Sequence, residues 1–381
     1  MQVEDFLQFK KIPLSMILTL TPLQALVVLT QIKGLSPRNL WRLLDHEPCP
    51  KRLLDFLYKQ PLNSIKDQSV FIKNLPSKKV IIQQLELLDR QIALNIEPID
   101  YTSEWYPFNL EKMADPPPVI YAQGTKIKRS TPLLGIVGTR KLSSYGRRQI
   151  DQFFEYVKGA DFEVVSGLAH GTDSYAQAAA IDAGVRVHSV LAHGLDKTYP
   201  KEQLTLRHQI ESNGLSYSEY TLGTPAYRGQ FLARNRLIAG MCDVLWIVES
   251  AQTGGSLVTA EFAKGYGTPI FASPGPIDAD TSQGCNRLIA DQGAAVYQHP
   301  ESLATCLGIQ IHSKIPRERG AQLTNPTEIK IYELLRHYER LFPSQIIRLS
   351  GLEKSEVLTA LIKLQLDKVI VQFYDNAYGL N

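Results

Sequence analysis

Cysteine is scarce: Cys49, Cys242, Cys285 and Cys306 lie far apart, with no CxxC pair and no histidine at ligand spacing. That argues against a disulfide framework or a structural metal, and fits a reducing, cytoplasmic setting. Long hydrophobic runs are missing too. The apolar stretch from Ile12 to Leu29 is broken by Pro13, Pro22 and Gln24, and Glu4 and Asp5 precede it, so neither a membrane span nor a secretory leader is expected. Nor does charge of one sign dominate. The 41 Lys and Arg against 38 Asp and Glu leave a net +3, so any polyanion site must be a local cluster. Catalytic signatures are equally thin: there is no HExxH, no G-x-S-x-G elbow and no GxxxxGK[ST] loop. His170, His188, His193 and His208 are scattered. No enzymatic activity, metal or cofactor is expected.

What is there is an ordinary globular composition, 44% hydrophobic and 21% charged over 381 residues, too long for one core and enough for two or three domains. Residues 17 to about 95 carry helical periodicity, as in Leu23, Leu26, Val27 and Leu40, Trp41, Leu43, Leu44. Ile32-Lys33-Gly34-Leu35-Ser36-Pro37-Arg38 joins two of these helices. It reads as a helix-hairpin-helix turn offering amides to phosphate, or as a plain αα-hairpin capped by glycine. Asp115-Pro116-Pro117-Pro118 marks a rigid junction, with Tyr101 to Tyr121 a strand-and-loop preface to the next domain.

From about 130 to 300 the pattern alternates. Strand-like runs at Leu133–Val137, Glu163–Val165, Arg186–Leu191, Leu215–Tyr217, Val244–Val248 and Pro269–Ala272 are separated by helical stretches such as Tyr145–Val157, Thr172–Ala183 and Ser256–Gly265. Such alternation builds an α/β fold with a parallel sheet, whose functional crevice lies outside the strands' C-terminal ends. A polar stretch, His312 to Asn325 with Arg317, Glu318, Arg319 and Gly320, reads as a linker. Three short helices, Glu328–Tyr338, Ser344–Leu349 and Lys354–Leu366, and a hairpin-like tail from Lys368 to Tyr378 then draw a winged helix-turn-helix outline, which suits duplex DNA or a protein.

The loops carry the chemistry. Gly135-Ile136-Val137-Gly138-Thr139-Arg140 ends a strand, turns at Gly138 and opens a helix, aiming amides at an anion. Arg140 puts an obligate cation where a nucleotide fold more often keeps a small residue, and a guanidinium suits a phosphodiester at least as well as a small cofactor. Ser166-Gly167-Leu168-Ala169-His170-Gly171-Thr172-Asp173 permits close backbone approach, and Thr172 or Asp173 can cap the next helix. Arg228, Phe231, Arg234 and Arg236 fall within nine residues ahead of an apolar helix or turn. This mixture either holds single-stranded nucleic acid by charge and stacking, or leaves Phe231 in the core with the arginines solvated or paired with acids. Gln252-Thr253-Gly254-Gly255-Ser256 makes an anion nest, and Arg287 adds a cation from a loop on the same rim.

Together these loops resemble the DNA-processing protein A family (DprA, also called Smf). The segments GIVGTR…YGRR, VVSGLAHGTDSYA, GLDKTYP, RGQFLARNRLIAG, TGGSLVTAEFA, PGPID and QGCNRLI recur in family order across about Leu133 to Ala290. The resemblance implies an N-terminal helical SAM-like domain (1–115), an extended Rossmann-like core (116–310) and a C-terminal winged helix (317–381). It also implies a homodimeric, single-stranded-DNA-binding protein of natural transformation that protects incoming strands and loads RecA, with no membrane partner. By motif match Arg140, Arg228, Phe231, Arg234 and Arg236 would line the DNA pocket, and Gly138, Gly167, Gly254, Gly255 and the Ser256 hydroxyl would supply close contacts. Two positions depart from the family: His170 stands where many members carry Arg or Lys, and Leu232 replaces proline in QFLARNR. A nucleotide phosphoribohydrolase-like enzyme, with Glu261 after the glycines, and a nucleotide-sensing winged-helix regulator remain the alternatives.

Overall fold

The computed structural model describes residues 14–59, 69–126, 131–291, 293–309, 323–338, 340–367, 369–373 and 376–380. It divides into two compact units, Met1–Gln310 and Ile311–Asn381. The stretch read for a leader (1–13) and most of the polar linker (312–322) lie outside the described residues, as does the tip of the tail hairpin at 374–375.

Among the described residues six helices open the first unit: α1 (Leu14–Thr19), α2 (Pro22–Thr30), α3 (Pro37–His46), α4 (Pro50–Lys59), α5 (Ser69–Ile72) and α6 (Lys78–Ala93). Their starts obey capping chemistry. Thr21 accepts from the Gln24 amide while Gln24 reaches back to the Thr21 amide, and Ser36 and Ser77 cap α3 and α6. Gly34, at φ 90°, makes the turn between α2 and α3 in a conformation other residues avoid. The proline junction is tied down by its carbonyls, because prolines cannot donate. Pro116 O accepts from Trp41 Nε1 and Pro117 O from the Tyr106 hydroxyl, both at 2.7 Å, and Pro118 O accepts from the Tyr101 amide at 3.2 Å.

Among the described residues nine strands come next: β1 (Glu97–Asp100), β2 (Val119–Gly124), β3 (Leu133–Val137), β4 (Glu163–Ser166), β5 (Arg186–Leu191), β6 (Leu215–Ser218), β7 (Val244–Ile247), β8 (Ile270–Ala272) and β9 (Ala295–Val296). They form one sheet in the order β1-β2-β6-β5-β4-β3-β7-β8-β9. The pairs β1/β2 and β2/β6 are antiparallel and the rest parallel. The segment expected as a strand-and-loop preface, Tyr101 to Tyr121, connects β1 to the start of β2, and these two antiparallel strands extend the sheet edge. Crossover helices α7 (Ser144–Tyr156), α8 (Thr172–Asp182), α9 (Leu204–Asn213), α10 (Arg228–Met241), α11 (Gly255–Gly265) and α12 (Gln283–Asp291) connect the strands, and α13 (Pro300–Cys306) follows the last of them. Every residue of β3, β4 and β7 is buried, which is why β3 and β7 read as continuous apolar runs. Trp246 anchors the core, stacked on Tyr297 at 4.4 Å with its indole N–H given to Ser273. Among the described residues no helix is long and apolar enough to cross a membrane.

The second unit holds α14 (Pro326–Tyr338), β10 (Arg340–Leu341), α15 (Pro343–Ser350), α16 (Lys354–Leu366), β11 (Ile370–Gln372) and β12 (Tyr378–Leu380). Its sheet runs β10-β12-β11, so a short strand between the first two helices joins the tail hairpin. Ile331, Leu335, Ile346, Val357, Leu361 and Leu364 form its own core.

Candidate nucleic-acid interface

The strand order reverses between β3 and β7, and the loops leaving their C-terminal ends open a crevice, the place where α/β sheets bind ligands. Three loops are stitched together there. The Thr139 amide donates to Glu249 O at 2.8 Å, and the Thr172 amide to Thr139 O at 3.0 Å. A Cβ on Gly138 would run into the Thr172 hydroxyl and Glu249 O, and one on Gly171 into the Thr139 carbonyl, so both glycines serve the loops' own packing. Gly171, at φ 80°, is also the N-cap of α8, in place of the Thr172 or Asp173 cap expected from sequence. The buried Glu249 carboxylate accepts from the Ser143 amide at 2.8 Å and hydroxyl at 2.5 Å, and Ser143 caps α7. The loop carrying Arg140 is therefore anchored at both ends.

Arg140 is exposed, has no ion-pair partner among the described residues, and lies 5.6 Å from the centroid of the Phe231 ring. Phe231 in turn lies 5.5 Å from Tyr199, tilted by 53°, and Tyr199 is 49% exposed. Cation and aromatic faces thus meet at one point of the rim. Tyr199 escaped the sequence reading although GLDKTYP contains it; an aromatic in a polar loop was the available signal.

The arginine cluster lies within the first turns of α10, where the sequence suggested it preceded a helix. Helical rotation then separates its members. Arg228 and Phe231, three apart, share a face, whereas Arg234 and Arg236 are about 200° apart. Arg228 is exposed. Arg234 is buried and donates to Gly167 O at 2.8 Å, to Val190 O and to Asn235. Burial lowers its pKa to about 10, opposed by the Asp173 carboxylate. A Cβ on Gly167 would overlap that guanidinium, which accounts for the glycine. Asp173 accepts from the Gly167 amide at 3.1 Å, and burial pushes its carboxyl up to about 6 against the pull of Arg234. Arg236 pairs with Glu219 and donates to Asp115 O at 2.7 Å. Burial raises the Glu219 pKa, with Arg236 opposing. These two arginines expected at the pocket are occupied inside the protein.

Gly254 and Gly255 open α11, and Asn235 Nδ2 ties α10 to Gly255 O at 3.2 Å. The Ser256 hydroxyl is buried on Ser250 at 2.8 Å, so it braces the loop, while nothing crowds Gly255. Thr253, Gly254, Glu261 and Arg287 line a cavity of about 230 Å³ beside them. His170 is exposed, 3.7 Å from Glu202. It borders an open cavity of about 730 Å³ with Arg140, Lys141, Arg147 and Tyr175. The sequence reading passed over Lys141, Arg147 and Tyr175, although the first two stand in a run of four basic residues between 140 and 148. Among the described residues no group of three His, Cys, Asp or Glu could hold a metal ion.

The family model for DNA recombination-mediator protein A matches residues 97–308. Protein Smf of Synechocystis is 31% identical over 287 residues, 73% of this chain and 71% of that protein. DNA processing protein DprA of Streptococcus pneumoniae is 34% identical over 199 residues, 52% of this chain and 70% of that one. The X-ray structure of S. pneumoniae DprA matches with a TM-score of 0.61 at 26% identity, covering 75% of this chain and 98% of that chain. The Helicobacter pylori protein, whose structure concerns a unique single-stranded DNA binding mode, matches with a TM-score of 0.50 at 28% identity, covering 56% and 95%.

Proposed function

The chain belongs to the DNA recombination-mediator protein A family, and from that premise we propose that it binds single-stranded DNA as a recombination mediator. The observation that carries this reading is Arg140 set against Phe231, with Tyr199 beside them, at the crevice where the strand order reverses. Cations there track phosphates and the aromatic faces stack bases, each worth about 1–3 kcal/mol. In this reading Arg140, Arg228 and Phe231 touch the strand, and Gly254, Gly255 and Arg287 offer a further anion contact. Gly138, Gly167, Ser256 and Arg234 hold the loops in shape beneath, and Arg236 braces α10 against Glu219. His170 faces Glu202 at 3.7 Å. The family resemblance supports the finer part of the proposal. The protein is a cytoplasmic homodimer that protects incoming strands during natural transformation and loads RecA, without a catalytic step or cofactor, and residues 317–381 are a winged-helix accessory.

The test is a fluorescence-anisotropy titration of oligo-dT and its matched duplex at two salt concentrations, with wild type and Phe231→Ala. We expect a salt-sensitive preference for the single strand, reduced about tenfold by the substitution. Equal affinity for both, or none, overturns the reading. One observation favours a second: Glu261 shares its cavity with Gly254 and Arg287, an acid beside an anion nest. Release of a free base from a nucleoside monophosphate would select that enzyme reading.

A further inference from the structure

Arg147 stands on α7 one turn before Asp151, the spacing at which arginine and carboxylate pair on a helix surface. Among the described residues they form no ion pair. The Arg147 guanidinium instead lies 5.3 Å from the centroid of the Tyr175 ring on α8. The Asp151 carboxylate accepts the Tyr175 hydroxyl, at 3.0 Å to one oxygen and 3.1 Å to the other. The ring is thus held at its hydroxyl end, while the exposed guanidinium keeps its N–H edges for an outside acceptor. Arg147 and Tyr175 border the same open cavity of about 730 Å³ as Arg140 and Lys141. The acid that lines this cavity, Glu202, sits against His170. An anion crossing it is drawn to the side of the arginines.

We propose that Arg147 on Tyr175 is a second station for the bound strand. The phosphodiester leaving Arg140 and Phe231 crosses this cavity toward α7 and α8, and Arg147 takes a phosphate further along. This deepens, and rests on, the reading of the rim as a single-strand site.

The experiment titrates the full chain with oligo-dT strands from about 4 to about 16 nucleotides, comparing wild type, Phe231→Ala, Arg147→Ala and Arg147→Lys. The Arg147→Ala penalty is expected to grow with strand length, to about tenfold, with the salt slope shallower by about 0.7, one phosphate's share on a single strand. Arg147→Lys restores the slope but not the full affinity, because an ammonium lacks the flat stacked fork. If Arg147→Ala matches wild type at every length while Phe231→Ala weakens all of them, the second station falls and the rim reading stands. A penalty for Arg147→Ala that is the same at every length also removes it. Wild type that binds no strand at any length removes both.

Discussion

At the scale of single residues, Gly167 and Arg234 define each other. The guanidinium occupies the space a Cβ on Gly167 would need, and it satisfies the carbonyls of Gly167 and Val190 from a buried position. Gly167→Ala should therefore cost about 2 kcal/mol of stability through overpacking. Arg234→Met should cost about 3 kcal/mol, since two carbonyls and the Asp173 carboxylate lose their cation. The double variant should cost less than the sum, because the methionine leaves room for the new methyl group. Urea unfolding of the four proteins measures this. Strictly additive costs would show that the two residues are independent. An Arg234→Met protein with an unchanged midpoint but lost oligo-dT binding would instead return Arg234 to direct contact with the strand.

At the scale of elements, three neighbouring strands are joined by one acid. Glu163, at the start of β4, accepts from Arg186 at 2.7 Å and Thr131 at 3.1 Å, and lies 2.6 Å from His188 Nε2 on β5. His188 Nδ1 accepts from the Leu215 amide at the start of β6, at 3.1 Å, so the proton sits on Nε2 and points at Glu163. Burial pushes the Glu163 carboxyl up, but the hydrogen bond from His188, the Arg186 guanidinium and the Thr131 hydroxyl outweigh it and hold the pKa below 4.5. A carboxyl lowered on folding contributes stability above its unfolded value and loses it as pH falls through the folded one. Glu163→Gln should be less stable than wild type by about 3 kcal/mol at neutral pH, because Arg186 and His188 lose a charged acceptor. The gap should narrow below pH 4.5. Urea midpoints of both proteins across that range decide it, and a constant gap refutes the staple.

Much of this architecture was legible in the sequence, for a physical reason. Leu133–Val137 and Val244–Ile247 are strands packed on both faces, where apolar runs are favoured. The antiparallel strands β1 and β2 were not legible as part of the sheet, because Pro98 and the prolines near 117 mask them and β6, the strand that joins β2 to the rest, lies about a hundred residues on. Arg140 and Phe231 stood out by type. What the sequence hid was the division within Arg228–Arg236. It depends on helical rotation and on carbonyls and acids from 17 to 121 residues away, which no local window contains.

At the scale of the whole molecule, each unit has its own core, and the candidate site lies entirely within residues 1–310. A chain ending at Gln310 should melt cooperatively and bind oligo-dT less than about tenfold more weakly than the full chain. Calorimetry and the same titration check this, and loss of either property would make residues 311–381 part of the site. The sheet carries a last consequence. One edge is the four-residue β1, with Pro98 in its middle opposite Tyr121, and the other is the two-residue β9. Neither offers the long open row of amides and carbonyls that templates strand pairing between chains. The edges of this sheet therefore give copies of the chain little backbone template on which to pair into fibrils.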